Sequence, residues 1–157
     1  MLGLRKKRIV IMSPLDGLVV PITEVDDPVF SCDILGRGIA IKPDSGCVRA
    51  PARAVVSRMF ETGHAVGLLT ENGVELLIHV GIDTIELKGS HYTAYKNNEE
   101  SVDAGDILME FDAAAISAEG YDTVTPVVVC NSYEFKDVSF APEGHIKTGD
   151  PLIMLRG

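Results

Sequence analysis

The chain has no tryptophan, and its other aromatics are few, 5 Phe and 4 Tyr in 157 residues. Cysteine is also scarce: Cys32, Cys47 and Cys130 are odd in number, widely spaced and free of any C-x-x-C pair. That excludes a disulfide framework and a zinc knuckle, and it fits a reducing cytoplasm. Positive charge is in deficit, with 14 Lys and Arg against 23 Asp and Glu and a net charge of −9. The balance argues against nucleic acid as a partner and for an encounter with a basic protein surface, an attraction that salt weakens. No apolar run approaches transmembrane length. The basic start, residues 1–8, reads as a flexible arm, and the short run Ile9-Val-Ile-Met12 behind it is ended by Ser13-Pro14 well before a signal-peptide core would be complete. What remains, 46% hydrophobic, suits a single domain over residues 1–157 that buries a sizeable core without disulfide or metal.

No stretch sustains a helical period for long, whereas short β-branched runs between Gly, Pro, Asn and Asp recur from end to end. The reading is all-β, with strands expected at Arg8 to Met12, Leu18 to Ile22, Gly38 to Lys42, Cys47 to Ala50 and Ala54 to Phe60. Further strands are expected at Ala65 to Thr70, Val74 to Val80, Ile107 to Phe111, Thr123 to Cys130 and Leu152 to Leu155. A single helix is expected over Ala113 to Ala118, capped by Asp112. Two segments echo each other, Val102-Asp-Ala-Gly-Asp-Ile-Leu108 and Ile146-Lys-Thr-Gly-Asp-Pro-Leu152, and so do Ser13-Pro-Leu-Asp-Gly17 and Ala50-Pro-Ala-Arg-Ala54. Such echoes predict a β-sandwich with pseudo-symmetric halves, built from two related sheets with turns like those of biotinyl and lipoyl carrier domains.

One hairpin carries the chemistry. Asn72-Gly73 lies between two apolar runs, the strongest short-range hairpin signal, and as a two-residue turn it would set Leu69 opposite Leu76, Val66 opposite His79 and His64 opposite Gly81. His64 and His79 then share a face, with backbones roughly 7–8 Å apart on the diagonal, near enough for two imidazoles to hold one small ligand. Leu77 falls on that face by alternation. A lone histidine in an apolar strand is usually structural; two on one face are not so easily dismissed.

The runs Phe60-Glu-Thr-Gly-His64-Ala and Asn72-Gly-Val-Glu-Leu-Leu-Ile-His79-Val-Gly-Ile-Asp83-Thr-Ile-Glu-Leu-Lys-Gly89 resemble the glucose-family enzyme IIA domain of the bacterial phosphoenolpyruvate-dependent sugar phosphotransferase system. Ser13-Pro-Leu-Asp-Gly17, Asp27-Pro-Val-Phe30, Leu35-Gly-Arg-Gly-Ile-Ala-Ile-Lys-Pro43, Val102-Asp-Ala-Gly-Asp106 and Thr125-Pro-Val-Val128 agree, so the resemblance covers nearly the whole chain. It implies a compact antiparallel β-sandwich that acts as a phosphocarrier, taking a phosphoryl group from phospho-HPr and passing it to an enzyme IIB domain of a sugar permease. On that pattern His79 is the phosphorylated nucleophile, His64 stabilises the phosphoryl group, Thr62 orients His64, the Gly81 carbonyl holds the second nitrogen of His79, and Asp83 meets a partner arginine. Val29, Phe30, Phe60, Leu77 and Ile85 would form an apolar docking patch, rimmed by Asp26, Asp27, Asp83 and Glu86. The resemblance implies no required cofactor, a cytoplasmic monomer that meets the membrane only through the permease, and, in some members, zinc shared between the two histidines and a partner.

The chain departs from the pattern at Ser90-His91-Tyr92, where an acidic or small residue, glycine and phenylalanine are usual, and at Ala50-Pro-Ala-Arg-Ala, which lacks a glycine. His91 and His145 read as solvated. Lys88 is not at the tip of a symmetric hairpin, as a carrier lysine would be. Two other functions compete. A zinc hydrolase would use His64 and His79 as ligands, but this chain has no H-x-H pair. A regulator would bind other proteins according to its phosphorylation state.

Overall fold

The computed structural model describes residues 8–157, so the arm expected over residues 1–8 lies outside the described residues as far as residue 7. Arg8 itself is not part of an arm: it opens the first strand and pairs with Arg156. The strands run β1 (Arg8–Met12), β2 (Gly17–Pro21), β3 (Arg37–Pro43), β4 (Cys47–Arg49), β5 (Ala54–Met59), β6 (Ala65–Thr70) and β7 (Glu75–His79). They continue as β8 (Tyr92–Ala94), β9 (Ser101–Val102), β10 (Ile107–Phe111), β11 (Thr125–Val129), β12 (Asp137–Phe140), β13 (Gly144–Ile146) and β14 (Pro151–Arg156). All pairings are antiparallel. An 8-stranded sheet, in the order β13-β2-β3-β11-β7-β6-β5-β9, packs with two 3-stranded sheets, β1-β14-β12 and β4-β10-β8.

Each expected strand is present. The strands that sequence pattern missed, β8, β9, β12 and β13, have two to four residues each and lie at sheet edges, too short to show a period. The expected helix, α2 (Ala113–Ala118), is capped by Asp112, whose carboxylate accepts the Ala115 N–H at 3.0 Å. A further short helix, α1 (Pro28–Ser31), was not foreseen; Asp27 caps it by accepting the Val29 N–H at 3.0 Å, and Pro28 supplies a first helical residue that needs no donor.

The sequence echoes turn out to touch. The Gly105 N–H donates to the Ala50 carbonyl at 2.9 Å and the Ala50 N–H to the Asp106 carbonyl at 2.8 Å. In the other half the Gly149 N–H donates to the Ser13 carbonyl at 3.1 Å and the Ser13 N–H to the Asp150 carbonyl at 2.7 Å. Between the halves the proline turns bond reciprocally, Met12 N–H to the Pro51 carbonyl at 3.0 Å and Arg49 N–H to the Pro14 carbonyl at 2.8 Å. Gly105 and Gly149 share a φ of +93°, a left-handed conformation that explains why glycine stands at both turns. This is the pseudo-symmetry of the sandwich, expressed as backbone hydrogen bonds.

The middle of the large sheet is buried on both faces, which is why every residue of β11 is buried. Its inner face, with Val66, Leu68, Leu76, Ile78, Val127 and Val129, belongs to the main core. Its outer face carries a smaller cluster in which Phe30, Ile82, Val124 and Val128 are buried and Leu77 packs at the edge.

The β6–β7 hairpin corrects the expected register. The loop has three residues, Glu71-Asn72-Gly73, closed by Thr70 N–H to the Val74 carbonyl at 3.0 Å and Gly73 N–H to the Thr70 carbonyl at 2.9 Å, with Gly73 at φ +81°. Leu68 therefore faces Leu76, Val66 faces Ile78 and Ala65 faces His79, one residue out of step with a two-residue turn. Buried Asn131 helps to hold this loop from outside: its carbonyl accepts the Glu75 N–H at 2.9 Å and its amide donates to the Gly73 carbonyl at 2.8 Å. Asn131→Ala leaves both backbone groups without their partner, and urea unfolding is expected to show a loss of about 2 kcal/mol.

Candidate functional site

His79 is the last residue of β7, and alternation places it and Leu77 on the outer face of the sheet. His64 is reached differently. It belongs to the β5–β6 loop, closed by Phe60 N–H to the Ala65 carbonyl at 3.1 Å and turned by Gly63 at φ +70°. The true register would send a strand residue at position 64 to the inner face, but a loop residue is free of the alternation. The Val80 N–H binds the His64 carbonyl at 2.7 Å, and the two imidazoles meet edge to face with centroids 4.9 Å apart. The histidines are thus neighbours, as expected, by a route other than the one the spacing implied.

The Nδ1 of His79 lies 2.7 Å from the Gly81 carbonyl. A carbonyl can only accept, so Nδ1 carries the proton and Nε2 keeps its lone pair. That acceptor exists because Gly81 adopts φ +91° in a space where a Cβ would come within 2.4 Å of the Thr84 methyl. The Nδ1 of His64 lies 2.5 Å from the Thr62 hydroxyl, so the remaining nitrogen of each ring is its Nε2. Burial of His64 lowers its pKa to about 4, with repulsion from His79 as the lesser cause. Burial also lowers the pKa of His79, against the opposing pull of the Gly81 carbonyl and of Asp27 and Asp83. Both rings are neutral near pH 7. Only His79 is partly open: His64 is 2% exposed.

Aromatic rings frame the pair. Phe30 packs on His79 with centroids 5.2 Å apart, Phe60 on His64 at 5.5 Å, and Tyr92 lies behind His64 at 6.4 Å. Of the five residues expected in an apolar patch, Val29 and Ile85 are exposed, and Phe60 and Leu77 are half-buried. Phe30 departs from expectation at 4% exposure: it is a wall beneath His79 and part of the outer-face cluster, not part of an exposed patch. Ile34 and Leu35, just after α1, are also exposed apolar residues, and they were missed because a two-residue apolar step in a loop has no period. Asp83, at φ +60°, opens the 3-10 turn Thr84–Leu87, and among the described residues Asp26, Asp27, Asp83 and Glu86 form no ion pair within the chain.

Three further residues carried no expected role, Tyr92 having stood out only as a departure from the usual phenylalanine. Arg58 lays its guanidinium over the Phe60 ring at 4.4 Å, and the hydroxyls of Thr84 and Tyr92 both donate to the Val80 carbonyl, each at 2.8 Å. His91 is not simply solvated, since its ring bonds Glu119 of the α2 C-terminus; His145 is exposed, 3.8 Å from Asp44. Among the described residues no group of three or more His, Cys, Asp and Glu side chains is gathered for a metal ion. His64 and His79 offer two nitrogens, so zinc held there would need ligands from another molecule. No helix among the described residues is long and apolar enough to cross a membrane.

Residues 9–135 match the model of the family described as phosphoenolpyruvate-dependent sugar phosphotransferase system, EIIA 1. The PTS system glucose-specific EIIA component of Oceanobacillus iheyensis is 35% identical over 148 residues, covering 94% of this chain and 90% of that protein. The PTS system beta-glucoside-specific EIIBCA component of Dickeya chrysanthemi is 41% identical over 145 residues, but the chain spans only 23% of its length. Among solved structures, glucose permease IIA from Mycoplasma capricolum superimposes with a TM-score of 0.87 at 31% identity, over 94% of this chain and 96% of that one.

The buried histidine sets a pH dependence. His64 ionises near 6.5 in the unfolded chain and near 4 when folded, so between these values the unfolded state binds more protons and stability rises with pH. Acidification from pH 6.5 to 4 is expected to cost on the order of 3 kcal/mol through this residue, and urea unfolding across that range should give a shallower slope for His64→Gln than for the natural chain.

Proposed function

The chain belongs to the EIIA 1 family of the phosphoenolpyruvate-dependent sugar phosphotransferase system, and on that footing we propose that it carries a phosphoryl group on Nε2 of His79. The observation that carries the assignment is the Nδ1–Gly81 hydrogen bond, which leaves the Nε2 lone pair available on the more open of two neutral, neighbouring imidazoles. The Nε2 attacks phosphorus as the bond from phosphorus to the donor histidine of phospho-HPr breaks, and that electron pair returns to the donor ring. Transfer onward to an enzyme IIB domain is the same displacement with His79 as leaving group.

Phosphoryl transfer asks mainly for in-line positioning and for donors around the equatorial oxygens. If the Thr62 hydroxyl donates to Nδ1 of His64, the His64 proton stays on Nε2 and is offered to the phosphoryl group. His64 is too buried to be the nucleophile. Its low pKa keeps it a neutral donor, adding no charge that must change as the phosphoryl group arrives or leaves. No metal takes part in this scheme. Asp83 and Asp27 pull His79 toward its charged form, yet a carboxylate repels a dianionic phosphoryl group; their role is to engage arginine on the partner, releasing it as the phosphoryl group arrives. Val29, Phe60, Leu77 and Ile85, over the Phe30 wall, supply desolvated contacts, and the acidic rim steers basic partners. HPr and enzyme IIB dock in turn on this one face, which requires no second copy of the chain, and the cytoplasmic side of a permease is where the exchange takes place.

Incubation with phosphoenolpyruvate, enzyme I and HPr, followed by intact mass measurement, should add one acid-labile phosphoryl group. The gain is absent in His79→Gln and retained in His64→Gln, whose onward transfer is slower. Absence of phosphorylation in the natural chain, or its persistence in His79→Gln, refutes the assignment. Asp83→Ala is expected to slow transfer from phospho-HPr about tenfold at low salt, with a smaller effect at high salt; an unchanged rate with both partners removes its role.

A further inference from the structure

The Val80 carbonyl receives two hydroxyl donors, Thr84 and Tyr92, both at 2.8 Å. Two donors use both lone pairs of a carbonyl oxygen, an arrangement that holds its peptide plane in position and orientation. The same plane is held at its other end by the Gly81 N–H, which donates to the Val124 carbonyl at 3.1 Å. On the preceding side the Val80 N–H is bound to the His64 carbonyl, and on the following side the Ile82 N–H donates to the Asp122 carbonyl at 3.0 Å. Val80 is therefore the backbone link between the histidines, placed directly between His79 and the glycine whose carbonyl sets the His79 tautomer.

Thr84 makes its bond locally, as a fully buried side chain in the turn that follows. Tyr92 makes it from a different sheet. Its strand, β8, pairs with β10, its ring lies 6.3 Å from that of Phe111, and its neighbour His91 accepts the Asp112 N–H at 3.0 Å while bonding Glu119. The phenol thus ties the small sheet to the catalytic loop. Burial raises its pKa, so it stays a donor throughout the neutral range.

We propose that Tyr92 and Thr84 are positioning residues for phosphoryl transfer, their paired hydroxyls clamping the Val80 carbonyl so that the Gly81 carbonyl stays aligned with Nδ1 of His79. Neither side chain needs to touch the phosphoryl group; the clamp acts through the backbone. Its consequence for rate rests on the phosphohistidine reading above, but its consequence for the His79 tautomer does not.

The test has two arms on the full chain. Imidazole nitrogen NMR of the unphosphorylated protein reports the His79 tautomer, and single-turnover transfer from phospho-HPr reports rate and apparent affinity separately. In the natural chain His79 should be held as the Nδ1–H form. Tyr92→Phe, which keeps the ring and removes the donor, should introduce the Nε2–H form and slow transfer about fivefold with unchanged affinity for phospho-HPr. Thr84→Val should behave likewise, and Thr84→Ser, which restores the hydroxyl, should recover the natural tautomer and rate. A folded Tyr92→Phe protein with the natural tautomer and rate overturns the proposal, as does one that loses stability while the tautomer is unmoved. If the natural chain takes up no phosphoryl group, the phosphocarrier reading fails, and the tautomer arm still decides the clamp.

Discussion

A single hydrogen bond, from Nδ1 of His79 to the Gly81 carbonyl, gives the rest of the site its meaning. It distinguishes the two ring nitrogens, leaving the proton on Nδ1 and the lone pair on Nε2. A single residue, Val80, separates donor and acceptor, so the bond requires a sharp backbone turn directly after β7, and Gly81 supplies it in a left-handed conformation closed to residues with a Cβ. The peptide groups on either side of that turn are bound to His64, Val124 and Asp122. The backbone N–H groups of Val80, Gly81 and Ile82 thus each have a partner within the fold.

Burial does the electrostatic part. Two imidazoles with centroids 4.9 Å apart cannot both be charged at modest cost, and their apolar walls, Phe30 and Phe60, make even one charge unfavourable. The result is two neutral rings near neutral pH, beside Asp27 and Asp83, which pull His79 toward its charged form. Neutrality here follows from dehydration, whereas Asp26, Asp83 and Glu86 stand exposed outside the dehydrated zone. On the proposed mechanism, this separation lets the chain draw in basic proteins without placing a negative charge where the phosphoryl group would sit.

The fold that holds the site is duplicated at the level of turns. Two Gly-Asp turns each lock onto a proline turn, and the proline turns bond each other across the pseudo-symmetry. These contacts lie at the seam between sheets, leaving the outer face of the large sheet free to carry α1, the 3-10 turn after Asp83 and the histidines. Between them sits the outer-face cluster, a second small core that makes β11 and its neighbours buried on both sides.

Periodicity and turn chemistry alone determined the all-β class, most strand positions, the α2 cap and the turn echoes, because each depends on residues a few positions apart. The motif around His79 likewise placed the Gly81 acceptor and the Thr62 contact in advance. Tertiary structure decided the rest. The hairpin register moved by one because Asn72-Gly73 belongs to a three-residue loop held by Asn131, which comes from a distant part of the chain. His64 reached its place through a loop that escapes strand alternation. Phe30 went beneath the site instead of onto the docking surface, since α1 folds it against Ile82, Val124 and Val128. The bond from Tyr92 to Val80 joins two sheets. No local pattern can encode such contacts, because they exist only once separate strands have been brought together by burial of their common core.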